Sequence, residues 1–350
     1  MKKIPAAILG ATGSVGQRFV QLLDQHPLFE VVCLTGSDRT IGTRYGDTCR
    51  WLLADPMPEW AKNIKVVATD PAQVDELVIF SALPADIALT VEADFAVKGS
   101  MVFSNASAYR MAADVPILIP EVNADHAKLV DIQRKDRGWK GGIVTNSNCT
   151  STGITVAFKA LLDAFGIEKA FVVSMQALSG AGYPGVPSMD ILDNVIPYIG
   201  GEEHKVEIEP LKMLGAFDGK KIVDASFVIS AHTNRVAVTD GHMVCASVAL
   251  KNKASVEDAI QVIRSYQGPE ISQNLPSSPV PVMLYRTEND RPQPRMDRMT
   301  GKGMTTVVGR LREDPLFDLK MVINSHNTIR GAAGGSVYNA EVLHKMGYLS

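Results

Sequence analysis

Ile4-Pro5-Ala6-Ala7-Ile8-Leu9-Gly10-Ala11-Thr12-Gly13-Ser14-Val15-Gly16-Gln17-Arg18-Phe19-Val20 opens the chain's first legible unit. Residues 4–9 are a short apolar run, the pattern of a strand covered on both faces. Residues 15–25 then carry helical spacing. Gly10, Gly13 and Gly16 fall between the two. A turn without Cβ atoms lets backbone N–H groups approach a phosphate, with the positive end of the helix dipole behind them. Alone the triplet is weak evidence; at the first strand-to-helix junction it predicts a dinucleotide site built from Gly10, Thr12, Gly13, Ser14, Val15 and Gly16.

Working outward, apolar runs at 30–34, 65–68, 77–82, 101–104, 116–119 and 142–145 alternate with helical segments. That texture predicts an α/β fold with a Rossmann-type parallel sheet. Cofactor choice is read just past the second strand, at Thr35-Gly36-Ser37-Asp38-Arg39-Thr40. Ser37 and Arg39 suit the 2′-phosphate of NADP, whereas Asp38 is the residue type that favours the free ribose of NAD. NADP is the better match.

Beyond residue 148 the texture changes. A helix is expected over 152–165, and longer strands over 170–178, 222–229, 242–250 and 305–311. They predict a second, α+β catalytic and dimerisation domain. Residues 266–304, rich in Pro, Ser, Asn and Arg, read as a long irregular excursion. The expected division is an NADP-binding domain over 1–148 and the second domain over 149–328. A C-terminal helix, about 329–350, returns to the first domain.

The totals fit two domains: 350 residues, 46% hydrophobic and 21% charged. A net charge of −3 makes no case for nucleic acid or an anionic membrane. No apolar run approaches the ~20 residues that span a bilayer. The N-terminal MKKIPAAILGATG breaks into glycines without a cleavage pattern, so a cytoplasmic setting is expected. The four cysteines form neither a C-x-x-C pair nor a zinc spacing, so free thiols and no metal are expected.

Cys149 differs from the other three. Thr145-Asn146-Ser147-Asn148-Cys149-Thr150-Ser151-Thr152-Gly153 joins a buried strand to a helix, placing the thiol at a helix N-terminus. There unpaired N–H groups and the macrodipole favour a thiolate, so a lowered thiol pKa and a nucleophile are expected. Most free cysteines are simply small buried hydrophobes. Cys33, Cys49 and Cys245 keep that reading.

The chain resembles the aspartate-semialdehyde dehydrogenase family, in particular its archaeal and fungal branch. The resemblance is carried by GATGSVGQRF, FSALP, SNASAYRM, PILIPEVN, NSNCTSTG, SMQALSGAGYPG, IPYIGGEEHK, HTNRVAVTDGH and NTIRGAAGG, in that order along nearly the whole length. It implies reversible, NADP-dependent reduction of L-aspartyl 4-phosphate to the semialdehyde through a Cys149 thioester, in lysine, methionine, threonine and isoleucine biosynthesis. It further implies His242 as acid or base, Gln176 orienting the acyl group, and Arg235 clamping the α-carboxylate. Arg110, Asn148 and Lys205 would hold phosphate. Glu202 would meet the amine, with Glu203 as a second candidate, and Asn327 the nicotinamide end. A homo-dimer or homo-tetramer is implied, although this chain lacks the long insertions of some bacterial relatives. Seven residues separate Arg235 from His242, which on one straight strand would put them on opposite faces. A turn at Thr239-Asp240-Gly241 is therefore expected.

Two rival readings share parts of this pattern. A malonyl-CoA reductase on this scaffold would keep the turn and the thioester, but its substrate has no amine for Glu202. A silent dinucleotide-binding regulator would have lost some of Cys149, Gln176, Arg235 and His242, and all four stand.

Overall fold

The computed structural model describes residues 2–349, so Met1 and Ser350, the outer limits of the expected domains, lie outside it. The first sheet has six parallel strands in the order β3-β2-β1-β4-β5-β6. They are Ile4–Leu9 (β1), Phe29–Gly36 (β2), Val67–Ala68 (β3), Val78–Ser81 (β4), Met101–Ser104 (β5) and Gly142–Thr145 (β6). The order reverses between β1 and β4, and ligands of such sheets bind at that switch point. Strands β4, β5 and β6 are buried throughout, as their all-apolar runs require.

The first helix, Ser14–Leu22, packs so closely on the glycine turn that a Cβ on Gly16 would run into the Gly10 carbonyl. Gly10 itself takes φ +70, open to glycine at no steric cost.

The second sheet is mixed, in the order β10-β7-β11-β14-β13-β12. Its strands are Ile167–Gln176 (β7), Val228–Arg235 (β10), His242–Leu250 (β11), Met283–Arg286 (β12), Thr306–Glu313 (β13) and Leu319–Ser325 (β14). A separate pair, Ala216–Phe217 (β8) and Ile222–Val223 (β9), stands apart. One face of the mixed sheet packs on a core that includes Ile154, Phe158 and Leu161 of the helix Cys149–Phe165. Alternate residues of β10 point the other way, leaving Val228, Ser230 and His232 exposed. The helix Gly334–Lys345 buries Val337, Ala340 and Leu343 with Phe80 and Phe103 of the first sheet.

Four expectations need correction. Residues 116–119 form no strand: bracketed by Pro116 and Pro120, they make one isolated bridge, Ile117 to Thr145, beside β6. Proline supplies no N–H, so a ladder cannot extend through either end. Residues 222–229 are not one strand but β9 and the start of β10, parted where the Ala225 N–H turns to the Leu211 carbonyl. The excursion 266–304 is not wholly irregular, since it contains β12, and β14 adds a strand beyond those expected. The first helix ends at Leu22, and Gln25 sits at φ +53.

Glu92 is fully buried on the helix Ala85–Lys98 and accepts the Ser104 hydroxyl at 2.7 Å. Burial pushes its carboxyl up to about 7. The folded protein thus holds this proton more tightly than the unfolded chain. Its contribution is complete at acid pH and lost as pH rises through 7. Glu92→Gln removes this dependence, so at pH 8 the variant is expected to melt higher than the parent, by about 3 kcal/mol in stability at most. Melting curves at pH 5 and pH 8 check it; equal pH dependence in both proteins contradicts it.

Candidate active site

β6 ends at Thr145, and Asn146-Ser147-Asn148 carries the chain into the helix Cys149–Phe165. Asn148 is the N-cap: its Oδ1 accepts the N–H groups of Thr150 at 2.9 Å and Ser151 at 3.2 Å. Such a cap fixes where a helix begins, and so places Cys149 at the first helical position. Across the mixed sheet, β10, β7 and β11 lie side by side, and Arg235 pairs in register with Gln176. Between Arg235 and His242 the chain bends through Thr239-Asp240, with Gly241 at φ +95. Both side chains therefore reach one spot: a Cβ on Gly180 would lie 3.0 Å from Arg235 Nη1 and 3.2 Å from His242 Cε1.

The centre of the site is Cys149 Sγ, 3.1 Å from His242 Nε2. Burial pushes the Cys149 thiol up to about 12; the Glu202 charge adds to this, while Arg110 and Arg235 oppose it. The lowered thiol expected from the helix terminus is therefore corrected: desolvation outweighs the helix dipole. Burial and the Arg235 charge pull His242 down to about 3. The resting pair is a thiol beside a neutral imidazole.

Around it stands a polar cage. Glu202 Oε2 accepts the Asn148 side-chain amide at 2.8 Å and the Gln176 amide at 3.5 Å, and Oε1 pairs with Lys205 at 2.9 Å. Burial alone would raise its carboxyl, but Lys205 and Asn148 outweigh this and hold it below the usual range. Glu203 turns away and accepts the Thr233 N–H on the edge strand β10, which leaves Glu202 facing the site. Arg110 donates to the Asn146 and Asn105 carbonyls, each at 2.9 Å, and to Glu209 at 3.1 Å. Of its five N–H groups, these bonds use three. Asn327 is already committed: Oδ1 accepts the Gly241 N–H at 2.8 Å and Nδ2 donates to Ser179 at 2.7 Å. It braces the bend before His242.

Several contributors escaped the sequence. Glu209 bridges Arg110 and the Asn148 backbone N–H, the latter at 2.6 Å. Lys212 donates to the carbonyls of Arg110, Ala112 and Val115 at 2.6–2.7 Å. Glu202, Lys205, Glu209 and Lys212 recur at the 3-4 spacing of one helix face. That signal was available, because charges on an inward face must serve polar partners. Gly331 had no such signal: its missing Cβ would lie 2.8 Å from both Cys149 Cα and Cβ.

At the glycine turn of the first sheet, no side chain caps the first helix, whose N-cap is Gly13. Its leading N–H groups present the positive end of the helix dipole to an anion, and the missing Cβ atoms let Gly16 pack on the Gly10 carbonyl and Gly10 on the Ala82 carbonyl. Gly10 N–H donates to Thr35 Oγ1 at 3.2 Å, tying the turn to β2, and Ser37 and Arg39 lie exposed just beyond that strand. Gln17 braces the turn from behind through the Thr12 and Arg50 carbonyls, each at 2.9 Å. All four cysteines are free, and no cluster of three metal-binding side chains occurs among the described residues.

A doubly wound sheet of the dinucleotide-binding kind, joined to a mixed sheet whose His242 meets Cys149 at the start of the helix that links them, is the architecture of a nucleotide-dependent dehydrogenase. Residues 5–130 match the family described as semialdehyde dehydrogenase, NAD binding domain, and residues 158–330 its dimerisation domain. The aspartate-semialdehyde dehydrogenase of Archaeoglobus fulgidus is 51% identical, covering 97% of each chain. That of Schizosaccharomyces pombe is 42% identical, over 100% of this chain and 99% of its own. The crystal structure of the Candida albicans enzyme with NADP superposes with a TM-score of 0.90 at 40% identity, covering 99% of this chain and 100% of that one. The chain belongs to the aspartate-semialdehyde dehydrogenase family.

Proposed function

We propose that this chain reduces L-aspartyl 4-phosphate to L-aspartate 4-semialdehyde with NADPH, reversibly and with release of phosphate, in the biosynthesis of lysine, methionine, threonine and isoleucine. The observation that carries this reading is the Cys149–His242 contact of 3.1 Å at a helix N-terminus, flanked by Arg235 and Glu202. Cys149 is the nucleophile and its acyl adduct the intermediate. Arg235 receives the α-carboxylate through its planar fork, Glu202 the amine, and Gln176 the acyl group. The two free N–H groups of Arg110, with Asn148 and Lys205, receive the phosphate. The pairing of a cation with a carboxylate suits an amino acid and disfavours a malonyl-CoA substrate, which has no amine.

Gly10, Thr12, Gly13, Ser14, Val15 and Gly16 would hold the cofactor diphosphate, Ser37 and Arg39 its 2′-phosphate; bound there, NADPH supplies hydride. Asn327 serves the nicotinamide end by fixing the Gly241 bend. We place the domain limits at 1–148 and 149–328, with 329–349 returning to the first sheet. The family's dimerisation domain implies a homo-oligomer. A dimer or tetramer formed through the open face of the mixed sheet is the finer reading, and the cytoplasm its setting. No helix among the described residues is long and apolar enough to cross a membrane.

The test follows NADPH formation from aspartate semialdehyde and phosphate, with malonyl-CoA reduction run in parallel. Phosphate-dependent turnover supports the assignment. Malonyl-CoA reduction with an inert semialdehyde refutes the substrate. In the same assay Arg39→Ala is expected to raise KM for NADP about 10–100-fold, the loss of one charge-assisted contact, with little change for NAD. Equal effects on both cofactors would remove Arg39 from the phosphate site.

A further inference from the structure

A groove of about 780 Å³ lies where residues 289–298 meet strands β11, β13 and β14. Cys149, Arg110, Lys205 and Arg235 are not among its lining residues. Val238, Met243 and Val322 give it an apolar wall. Arg291, Arg295, Arg298 and Arg310 bring four guanidiniums to it, against the single carboxylate of Asp290. An apolar wall with a few convergent polar groups is the make-up of a small-molecule site. A cleft lined by one sign of charge also concentrates counter-ions.

Most of that positive charge is not spent within the chain. Arg291 is the exception, donating Nε to Asp297 at 2.7 Å. The fully buried Asp297 also accepts Arg286 Nε at 3.0 Å and the Gln293 N–H at 2.7 Å, so it anchors the segment and leaves the other three arginines uncompensated. Arg298 gives Nη1 to the Asp240 carbonyl at 2.9 Å, and Arg310 reaches the Asn289 side chain at only 3.4 Å. Both keep most of their five N–H groups. Arg295 is exposed and has no partner among the described residues. Asp290 is itself engaged by the Gln293 amide at 3.2 Å.

The backbone at Arg310 is a second, independent observation. It takes φ +55, a conformation that suits glycine and strains an arginine. The ladder between β13 and β14 slips between Gly309 and Arg312, a bulge of the kind that re-aims a side chain. A Cβ on Gly309 would lie 2.5 Å from the Arg291 carbonyl, so the arginine-bearing segment is seated directly on the bulge. Strain held at a residue whose side chain lines a charged groove is the mark of a functional position.

We propose that this groove binds a small organic oxyanion carrying two or more phosphate or carboxylate groups, held by Arg295, Arg298 and Arg310. Guanidinium forks match the oxygens of both groups, and the apolar wall receives the body of the molecule.

The experiment is calorimetric titration of the NADP-loaded enzyme with pyrophosphate and, separately, with citrate. Wild type is compared with Arg295→Ala and Arg310→Gly. Each substitution is expected to weaken anion binding about 10–100-fold, the loss of a charge-assisted contact, with KM for phosphate unchanged. Glycine takes φ +55 freely, so Arg310→Gly should melt no lower than the parent, which separates lost binding from a damaged fold. Binding of pyrophosphate alone supports a phosphate-bearing ligand, and of citrate alone a polycarboxylate. Equal binding in wild type and both variants places the anion in the phosphate pocket of the active site and overturns the proposal. Binding of neither anion also overturns it. If both variants then dissociate the oligomer as well, the arginines serve a second copy of the chain instead.

Discussion

Cys149→Ser is expected to lower kcat by about 10⁴–10⁶-fold, the scale of losing a covalent nucleophile from a set that acts as a unit. The reason lies in the pocket's desolvation. Burial already holds the native thiol up at about 12. A hydroxyl is intrinsically far harder to ionise than a thiol. The fold is expected to survive, because serine fills nearly the same volume at the first position of a helix whose cap, Asn148, is untouched. Steady-state rates with semialdehyde and phosphate, set beside melting temperature and NADP affinity, check this. A variant that retained a hundredth of the activity would mean that chemistry does not pass through a sulfur adduct. Unchanged NADP affinity would separate the loss from any damage to the nucleotide sheet.

The second large effect is expected at Glu209. Its side chain is 2% exposed and bridges the Arg110 guanidinium and the Asn148 N–H. Glu209→Ala strands a buried arginine without its counter-charge, which costs about 3–5 kcal/mol. It also leaves the Asn148 N–H, directly before the nucleophile, without an acceptor. Stability should fall, and KM for phosphate should rise, because the free edge of Arg110 is no longer aimed. Glu209→Gln keeps the shape and one acceptor, so its melting loss should be smaller while the phosphate effect persists. A phosphate KM unmoved in the glutamine variant would reduce Glu209 to packing. Lys212 works on the same segment from the other side, since its three bonds go to the carbonyls around Arg110.

These two residues mark the limits of reading a chain in one dimension. Cys149 was legible because its signal is local: a strand, a run of Asn and Ser, and a helix start lie within ten positions. The glycine turn was legible for the same reason, since the Cβ exclusions at Gly10 and Gly16 arise from neighbours in sequence as well as in space. Strands β1, β5, β6 and β11 agreed with their apolar runs to the residue. Residues 116–119 misled because an apolar run says nothing about proline's missing donor. Strand β14 hid because its lysine and asparagine interrupt the pattern that pairing with β11 and β13 imposes.

By itself the sequence determined the nucleotide sheet, the cysteine at a helix start and the family, since each rests on spacings of a few residues. Tertiary structure alone decided which glutamate faces the site, what Asn327 holds, and that burial pushes the Cys149 thiol up. It also decided that the Ala177 N–H meets the His242 ring. Those facts depend on residues tens of positions apart brought within hydrogen-bond distance, and on the lowered dielectric around side chains that folding buries.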